Sequence, residues 1–361
     1  MHVGFNLIFL VPGETGGMEV AARELIPALV AAAPAQTRFT AFVNRDAGPG
    51  PWGELIPKVE VAVHVANRIQ WVRGEQQLLP RLAAAAGVDL VHSLASTAPA
   101  WGRFKRVVTV HDLIYRRFPE AHAGLRSLGM RVLVPLAVRR SDRVIVDSDA
   151  TKRDLVELLH TPAERIDIVP LGLGVPARTP PADEHSVREQ FALGGRSVLL
   201  SLSAKRPHKN LGALLEALAM LEERPVLVLA GYPTAHERQL RQRAVELGLE
   251  NDVRWVGWVE PALLEGLWAL TRAFVFPSLY EGFGLPVLEA MARGVPVACS
   301  DASSLPAVAG DAALLFDPQD PGALAQALDL GAAGRERAAK FTWERTARGT
   351  LESYRRAMAV V

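Results

Sequence analysis

Glu281 and Glu289 stand eight residues apart around the run Gly282-Phe283-Gly284-Leu285-Pro286. Two carboxylates can accept hydrogen bonds from a hydroxyl-rich ligand, and glycines between them let backbone N–H groups approach it. The preceding Ala273-Phe274-Val275-Phe276-Pro277 predicts a buried strand, short, apolar and ended by proline. Pro286 to Arg293 predicts a helix with proline in its first turn. Glu281 then leaves the carboxyl end of a strand and Glu289 lies about one turn inside the helix. Ligands of open α/β sheets bind there, and the amides and dipole of a helix start favour phosphate. Lys209, after the strand-like Ser197–Leu202 and at the start of a helix-like run from Asn210, offers a phosphate a point charge. His111 ends the strand-like Val107–Val110 and precedes Asp112; a lone histidine in such a place is more often a satisfied polar residue than a ligand. His92 also follows a strand end, where it would line an acceptor side. Gly16 and Gly17 lie in a loop from Gly13 to Glu19 that lacks the dinucleotide Gly-x-Gly-x-x-Gly spacing.

These residues need a scaffold, and the hydrophobic pattern describes one. Strand-like runs alternate with amphipathic helix-like runs throughout, the mark of α/β layers around parallel sheets. Strands are predicted near 3–10, 38–43, 59–65, 89–92, 106–110, 143–147 and 166–169, with helices near 18–33, 69–86, 123–140 and 149–160. A Pro-rich, polar stretch at 171–185 predicts a linker. Strands resume near 197–202, 225–230, 253–256, 273–276, 296–299 and 313–316, and helices close the chain from about 320. The length of 361 residues suits two domains. With 49% apolar and 22% charged residues the composition is that of a soluble globular enzyme and argues against disorder. A single cysteine, Cys299, excludes an internal disulfide and by itself builds no zinc site; a packed thiol is expected. The first residues lack a basic leader and read as a strand, and no apolar run reaches spanning length, so a cytoplasmic protein is expected. Net charge is +1, yet residues 103–143 carry ten Lys/Arg against Asp112, Glu120 and Asp142. Arg116, Arg117, Arg126, Arg131, Arg139 and Arg140 then form either a solvated helix face or a surface for anionic lipid or a pyrophosphate-linked acceptor.

The Glu281–Glu289 segment resembles the Glu-x7-Glu signature of family 4 of the retaining glycosyltransferases. The resemblance also takes in Gly16-Gly17, His111-Asp112, Lys209-Asn210, Gly257 with its neighbours, Gly294-Val295-Pro296-Val297, and Leu305-Pro306 leading to Gly310-Asp311. These occur in family order over nearly the whole chain. The resemblance implies the GT-B fold, α/β with two Rossmann-like domains facing across a cleft. The expected domains are an acceptor-side 1–172, a nucleotide-sugar-binding 173–345, and a final helix, 346–361, that packs back on the first domain.

By that resemblance the catalytic residues are His111, Lys209 and Glu281. His111 would sit beside the transferred sugar, Lys209 would meet the diphosphate, and Glu281 would face the donor sugar. Gly16, Gly17, Lys205, Arg206, Gly257, Gly282, Phe283, Gly284, Leu285 and Glu289 would bind the nucleotide sugar, Glu289 through its ribose. The chain departs from the family in two places. Ser203 stands where many members have arginine, so Lys205 or Arg206 is expected to supply that charge, and Ala307 replaces a glutamate in Pro306-Ala307-Val308. No metal or cofactor is implied; the donor is a substrate, with GDP-mannose favoured over UDP-glucose and other hexose donors. The implied activity is transfer of a hexose, most readily mannose, to a glycan or lipid-linked acceptor, without nucleic acid. It would take place in the cytoplasm, with the basic 103–143 segment as a peripheral contact to the inner membrane face. A nucleotide-sugar epimerase or a non-catalytic nucleotide-sugar-binding protein are the rivals.

Overall fold

A computed structural model of the chain describes residues 1–13, 15–119, 125–173, 179–327 and 335–359. It divides into two compact units, one of Met1–Gly174 with Thr342–Val361 and the other of Val175–Phe341. Residues 174–178 of the expected linker lie outside the described residues.

The first unit holds β1 (His2–Leu7), β2 (Arg38–Val43), a two-residue β3 (Leu55–Ile56), β4 (Lys58–Glu60), β5 (Leu90–Ser93), β6 (Lys105–Val110), β7 (Arg143–Val146) and β8 (Ile166–Ile168). Seven of them form a parallel sheet in the order β4-β2-β1-β5-β6-β7-β8. Every residue of β1 is buried, as expected of a strand covered on both faces by crossover helices. Of the expected strand 59–65 only the start joins the ladder. Val61, Val63 and Val65 are buried at period two, but the Val63 N–H turns back to the Val61 carbonyl at 2.7 Å. The expected helix 69–86 is three pieces, Arg68–Arg73, one wider turn Gly74–Leu78, and Leu79–Ala85. A Cβ on Gly74 would lie 2.9 Å from Val63, so glycine lets this wider turn sit against the Val61–Val63 stretch.

The closing helix Trp343–Ala359 belongs to the first unit. It buries Trp343, Ala347, Leu351 and Tyr354, spaced by three and four, against the helix Gly17–Ala32 and the sheet. Burying Leu351 and Tyr354 contributes about 2 kcal/mol each. Tyr354 Oη lies 2.7 Å from Nδ1 of His92, whose Nε2 is 2.8 Å from Thr109 Oγ1. His92 is fully buried, so it does not line an acceptor surface. Burial, helped by the charge of His111, pushes its pKa down to about 3 and keeps the ring neutral.

The second unit holds β9 (Val198–Leu202), β10 (Val226–Ala230), β11 (Val253–Val256), β12 (Thr271–Phe276), β13 (Val297–Ser300) and β14 (Leu314–Phe316). They form a parallel sheet in the order β11-β10-β9-β12-β13-β14. Leucines of the helix Leu211–Ala219 pack on Leu227, Leu229 and Val275 to make its core. Cys299 is buried in β13, and burial pushes its thiol up to about 12, the state of a packed and unreactive sulfur.

Candidate active site

In the second sheet the strand order reverses between β9 and β12, since β10 lies on one side of β9 and β12 on the other. The crevice outside the carboxyl ends of such a pair is where open α/β sheets bind ligands. Lys209 follows β9 and Glu281 follows β12, and the structure brings them together: Lys209 Nζ donates to Glu281 Oε1 at 2.5 Å. The ammonium also lies 5.3 Å from the Phe276 ring centre. Lys209 does not open the helix as expected. It ends a tight turn, Pro207–Lys209, and Asn210 follows with a left-handed φ of 55° before the helix Leu211–Ala219. Asparagine tolerates that backbone better than most residues, and its Nδ2 anchors the turn on the Pro318 carbonyl at 2.7 Å.

The Glu281 loop is gripped by two serines that the sequence reading missed. The Glu281 N–H donates to Ser303 Oγ at 2.8 Å, and its carbonyl accepts from Ser303 Oγ at 3.1 Å and Ser304 Oγ at 3.0 Å. Ser304 Oγ also reaches the Phe283 carbonyl at 2.7 Å. Ser303 holds a strained φ of 53°. The signal available was a Ser-Ser pair between a strand end and Leu305-Pro306. Gly284 has φ 112°, a backbone that favours glycine, and a Cβ there would lie 2.6 Å from a terminal methyl of Leu305. The helix Leu285–Ala292 follows without a side-chain cap. Phe283 is buried edge-on against Phe341.

Glu289 is half-buried, and no hydrogen bond to its carboxylate is seen among the described residues. Burial pushes its pKa up, Glu265 adds to this and Arg293 opposes it. Arg293 itself is held by Glu265, with Nε to Oε2 at 2.9 Å, and by the Glu289 carbonyl at 2.9 Å. A half-buried carboxylate with open acceptor capacity suits hydroxyl donors. Gly257 follows β11 with no atom within 4 Å of where its Cβ would be. Lys205 departs from expectation. Its side chain is 1% exposed and its ammonium bonds backbone carbonyls, so it is not presented to a ligand; Arg206, half-buried, is the member of that pair nearer solvent. Ala307 offers its carbonyl to Arg337, which also bonds the Val308 carbonyl at 2.9 Å.

In the first unit His111 follows β6 and Asp147 follows β7. His111 Nδ1 is 2.6 Å from Asp147 Oδ2 and Nε2 is 3.0 Å from the Leu94 carbonyl. Acceptors at both nitrogens require both to carry protons. Burial alone would lower the pKa, but the charge and hydrogen bond of Asp147, the Leu94 carbonyl and Asp112 together raise it to about 9. His111 is therefore an imidazolium near neutral pH. Gly16, with φ 56°, and Gly17, which starts the first helix, have no atom within 4 Å of a built Cβ. Glu14 of that loop lies outside the described residues. Glu75, in the wider turn, is a buried acid the sequence reading also missed. It accepts from Asn6 Nδ2 and Thr97 Oγ1, both at 2.9 Å, and only the fold brings it beside β1.

Two family descriptions match the chain, "Glycosyltransferase Family 4" over residues 15–174 and "Glycosyl transferases group 1" over 183–344. The O-antigen chain mannosyltransferase B of Escherichia coli is 33% identical over 270 residues, 70% of this chain and 70% of that protein. The chain is a family 4 glycosyltransferase. Another relative, the D-inositol 3-phosphate glycosyltransferase of a Nocardioides species, is 30% identical over 82% of this chain and 68% of its own length. Among solved structures, Anabaena Alr3699/HepE in complex with UDP and glucose superposes with a TM-score of 0.72 at 20% identity, covering 98% of this chain and 99% of that one. That likeness is one of fold, and with the two parallel-sheet units it makes this glycosyltransferase a GT-B protein.

The basic segment is partly neutralised. Arg117 pairs with Asp154 and Glu157, and Arg143 with Asp167, while Arg116, Arg131, Arg139 and Arg140 are exposed; the side chain of Arg126 lies outside the described residues. Among the described residues no helix of the glycosyltransferase is long and apolar enough to cross a membrane.

Proposed function

We propose that this glycosyltransferase retains configuration and moves mannose from GDP-mannose to a glycan or lipid-linked acceptor. The second unit, Val175–Phe341, holds the donor, and the first unit holds the acceptor and carries His111. The observation that carries the reading is the Lys209–Glu281 pair at the carboxyl ends of β9 and β12, beside an uncapped helix start and the open carboxylate of Glu289. In the reaction the bond between the anomeric carbon and the diphosphate breaks, and its electron pair stays on the phosphate oxygen. Lys209, the Leu285 amide and the helix dipole stabilise that charge. The acceptor oxygen attacks from the same face, and its proton passes to the leaving diphosphate. Glu281 orients the sugar, Glu289 accepts from ribose hydroxyls, and imidazolium His111 donates to a sugar oxygen once its Nε2–H turns from the Leu94 carbonyl. Gly16, Gly17, Gly257, Gly282, Phe283 and Gly284 bring backbone close to the donor, and Arg206 adds positive charge. No cofactor beyond the donor enters this scheme.

The mannosyltransferase relative supports mannose. The UDP and glucose named for the Anabaena structure support a second reading, UDP-glucose, on the same residues. Calorimetric titration with GDP and UDP, with and without magnesium, separates the two. GDP binding, followed by a product of α configuration from GDP-mannose by NMR, is the expected result. UDP-selective binding replaces the donor, and a β product or no binding overturns the reading.

A further inference from the structure

We propose that Lys205 is a positioning residue, a clip that holds the loops leaving β9, β10 and β11 in one arrangement for the nucleotide. Its ammonium donates to the Gly231 carbonyl at 2.6 Å and the Val256 carbonyl at 2.7 Å, the first residue past β10 and the last of β11. Its own N–H donates to the Tyr232 carbonyl at 3.2 Å, and its carbonyl accepts from Thr234 Oγ1. One residue from the β9 loop therefore bonds both neighbouring loops. Gly231 closes the set. Its N–H donates to the Val256 and Gly257 carbonyls at 3.0 and 3.1 Å, its φ is 132°, and a Cβ would lie 2.2 Å from the Ser203 oxygen. The same loops present Gly257 and the 66% exposed Trp258.

The residue type argues for geometry over stability. The nearest carboxylate, Glu237, is 4.0 Å away and is itself paired with Arg241. Those two, both on the helix Glu237–Glu246, are the charged groups that act on the ammonium; the β10 and β11 sides contribute carbonyls and the Thr234 hydroxyl. Burial lowers the pKa to about 8, Glu237 opposing and Arg241 adding. A lysine whose folded pKa lies below its unfolded one costs stability while charged, and the cost is relieved as pH rises from about 8 towards 10.5. Loss of the same proton takes one donor and the charge from the clip, which weakens the two bonds that remain. Nucleotide affinity is thus expected to fall over the pH range in which this residue's contribution to stability rises. A purely structural lysine would not produce those opposite signs.

This inference rests on the nucleotide-binding reading of the second unit. The test is calorimetry of the full chain with GDP and with UDP at about pH 7 and about pH 9, for wild type, Lys205→Met and Lys205→Arg. Wild-type affinity should fall about ten-fold between the two, Lys205→Met should be about ten-fold weaker at both, and Lys205→Arg should show a flat profile. Wild-type affinity in a folded Lys205→Met, or one pH slope shared by all three, overturns the clip. So does unchanged amide hydrogen exchange at residues 231–234 and 257–260 in Lys205→Met, which needs no nucleotide. If wild type binds neither nucleotide while that exchange does rise, the nucleotide reading fails and the role proposed here fails with it.

Discussion

At His111 two acceptors, the Asp147 carboxylate and the Leu94 carbonyl, demand a charged ring in a half-buried place. The folded pKa of about 9 lies above the ordinary 6.5, so the pair's stabilisation is fully present below about pH 6.5 and is lost as pH rises through about 9. A shift of this size corresponds to about 3 kcal/mol. Asp147→Asn removes the main cause that raises the pKa and leaves burial, which lowers it. We expect the variant to be less stable than wild type by about that amount near pH 6, with the gap closing by about pH 10. Urea unfolding at both pH values checks this; a deficit independent of pH would mean that Asp147 acts through packing alone.

Between strand and helix, a short turn decides where the lysine goes. Asn210 takes a left-handed backbone and its side chain ties the turn to Pro318, which sends Lys209 back towards Glu281. Asn210→Ala forces an ordinary residue into φ 55° and deletes the anchor, at a cost of about 1 to 2 kcal/mol. Asn210→Gly loses the anchor but relieves the backbone, so it should cost less. Denaturant midpoints of the two variants give the order, and Asn210→Gly falling below Asn210→Ala would refute the account. The donor KM should rise in both if Lys209 meets the phosphate as proposed, because its charge is no longer held in place.

On the scale of the chain, the first unit is built from two stretches, Met1–Gly174 and Thr342–Val361, with the whole second unit inserted between them. The closing helix covers the helix Gly17–Ala32 and supplies Tyr354 to His92. A chain ending at Phe341 leaves that apolar face open and His92 Nδ1 without its partner inside the unit. We expect such a truncation to lose the thermal transition of the first unit and to be cut there by protease, while residues 183–341 stay resistant. Two intact transitions by calorimetry would show that the helix is dispensable.

Strand positions in both units were legible because parallel strands buried on two faces are continuous apolar runs, as at Val226–Ala230 and Thr271–Phe276. The family and the GT-B fold were legible because glycines, prolines and charges recur at strand ends in one order along the chain. Where an ammonium or a hydroxyl points was not legible, since that depends on atoms far away in sequence. Lys205, with Arg206 as the alternative, read as the charge missing at Ser203 until β10 and β11 placed two carbonyls on it. Ser303 and Ser304 were passed over, because only the folded chain sets them on Glu281. Periodicity and local backbone preference act over a few residues, so sequence alone determined the elements and their kind. Hydrogen bonds made across 26 to 262 residues, as at Lys205 and Tyr354, are set only when the sheets assemble, so tertiary structure decided which side chains became a site and which became its frame.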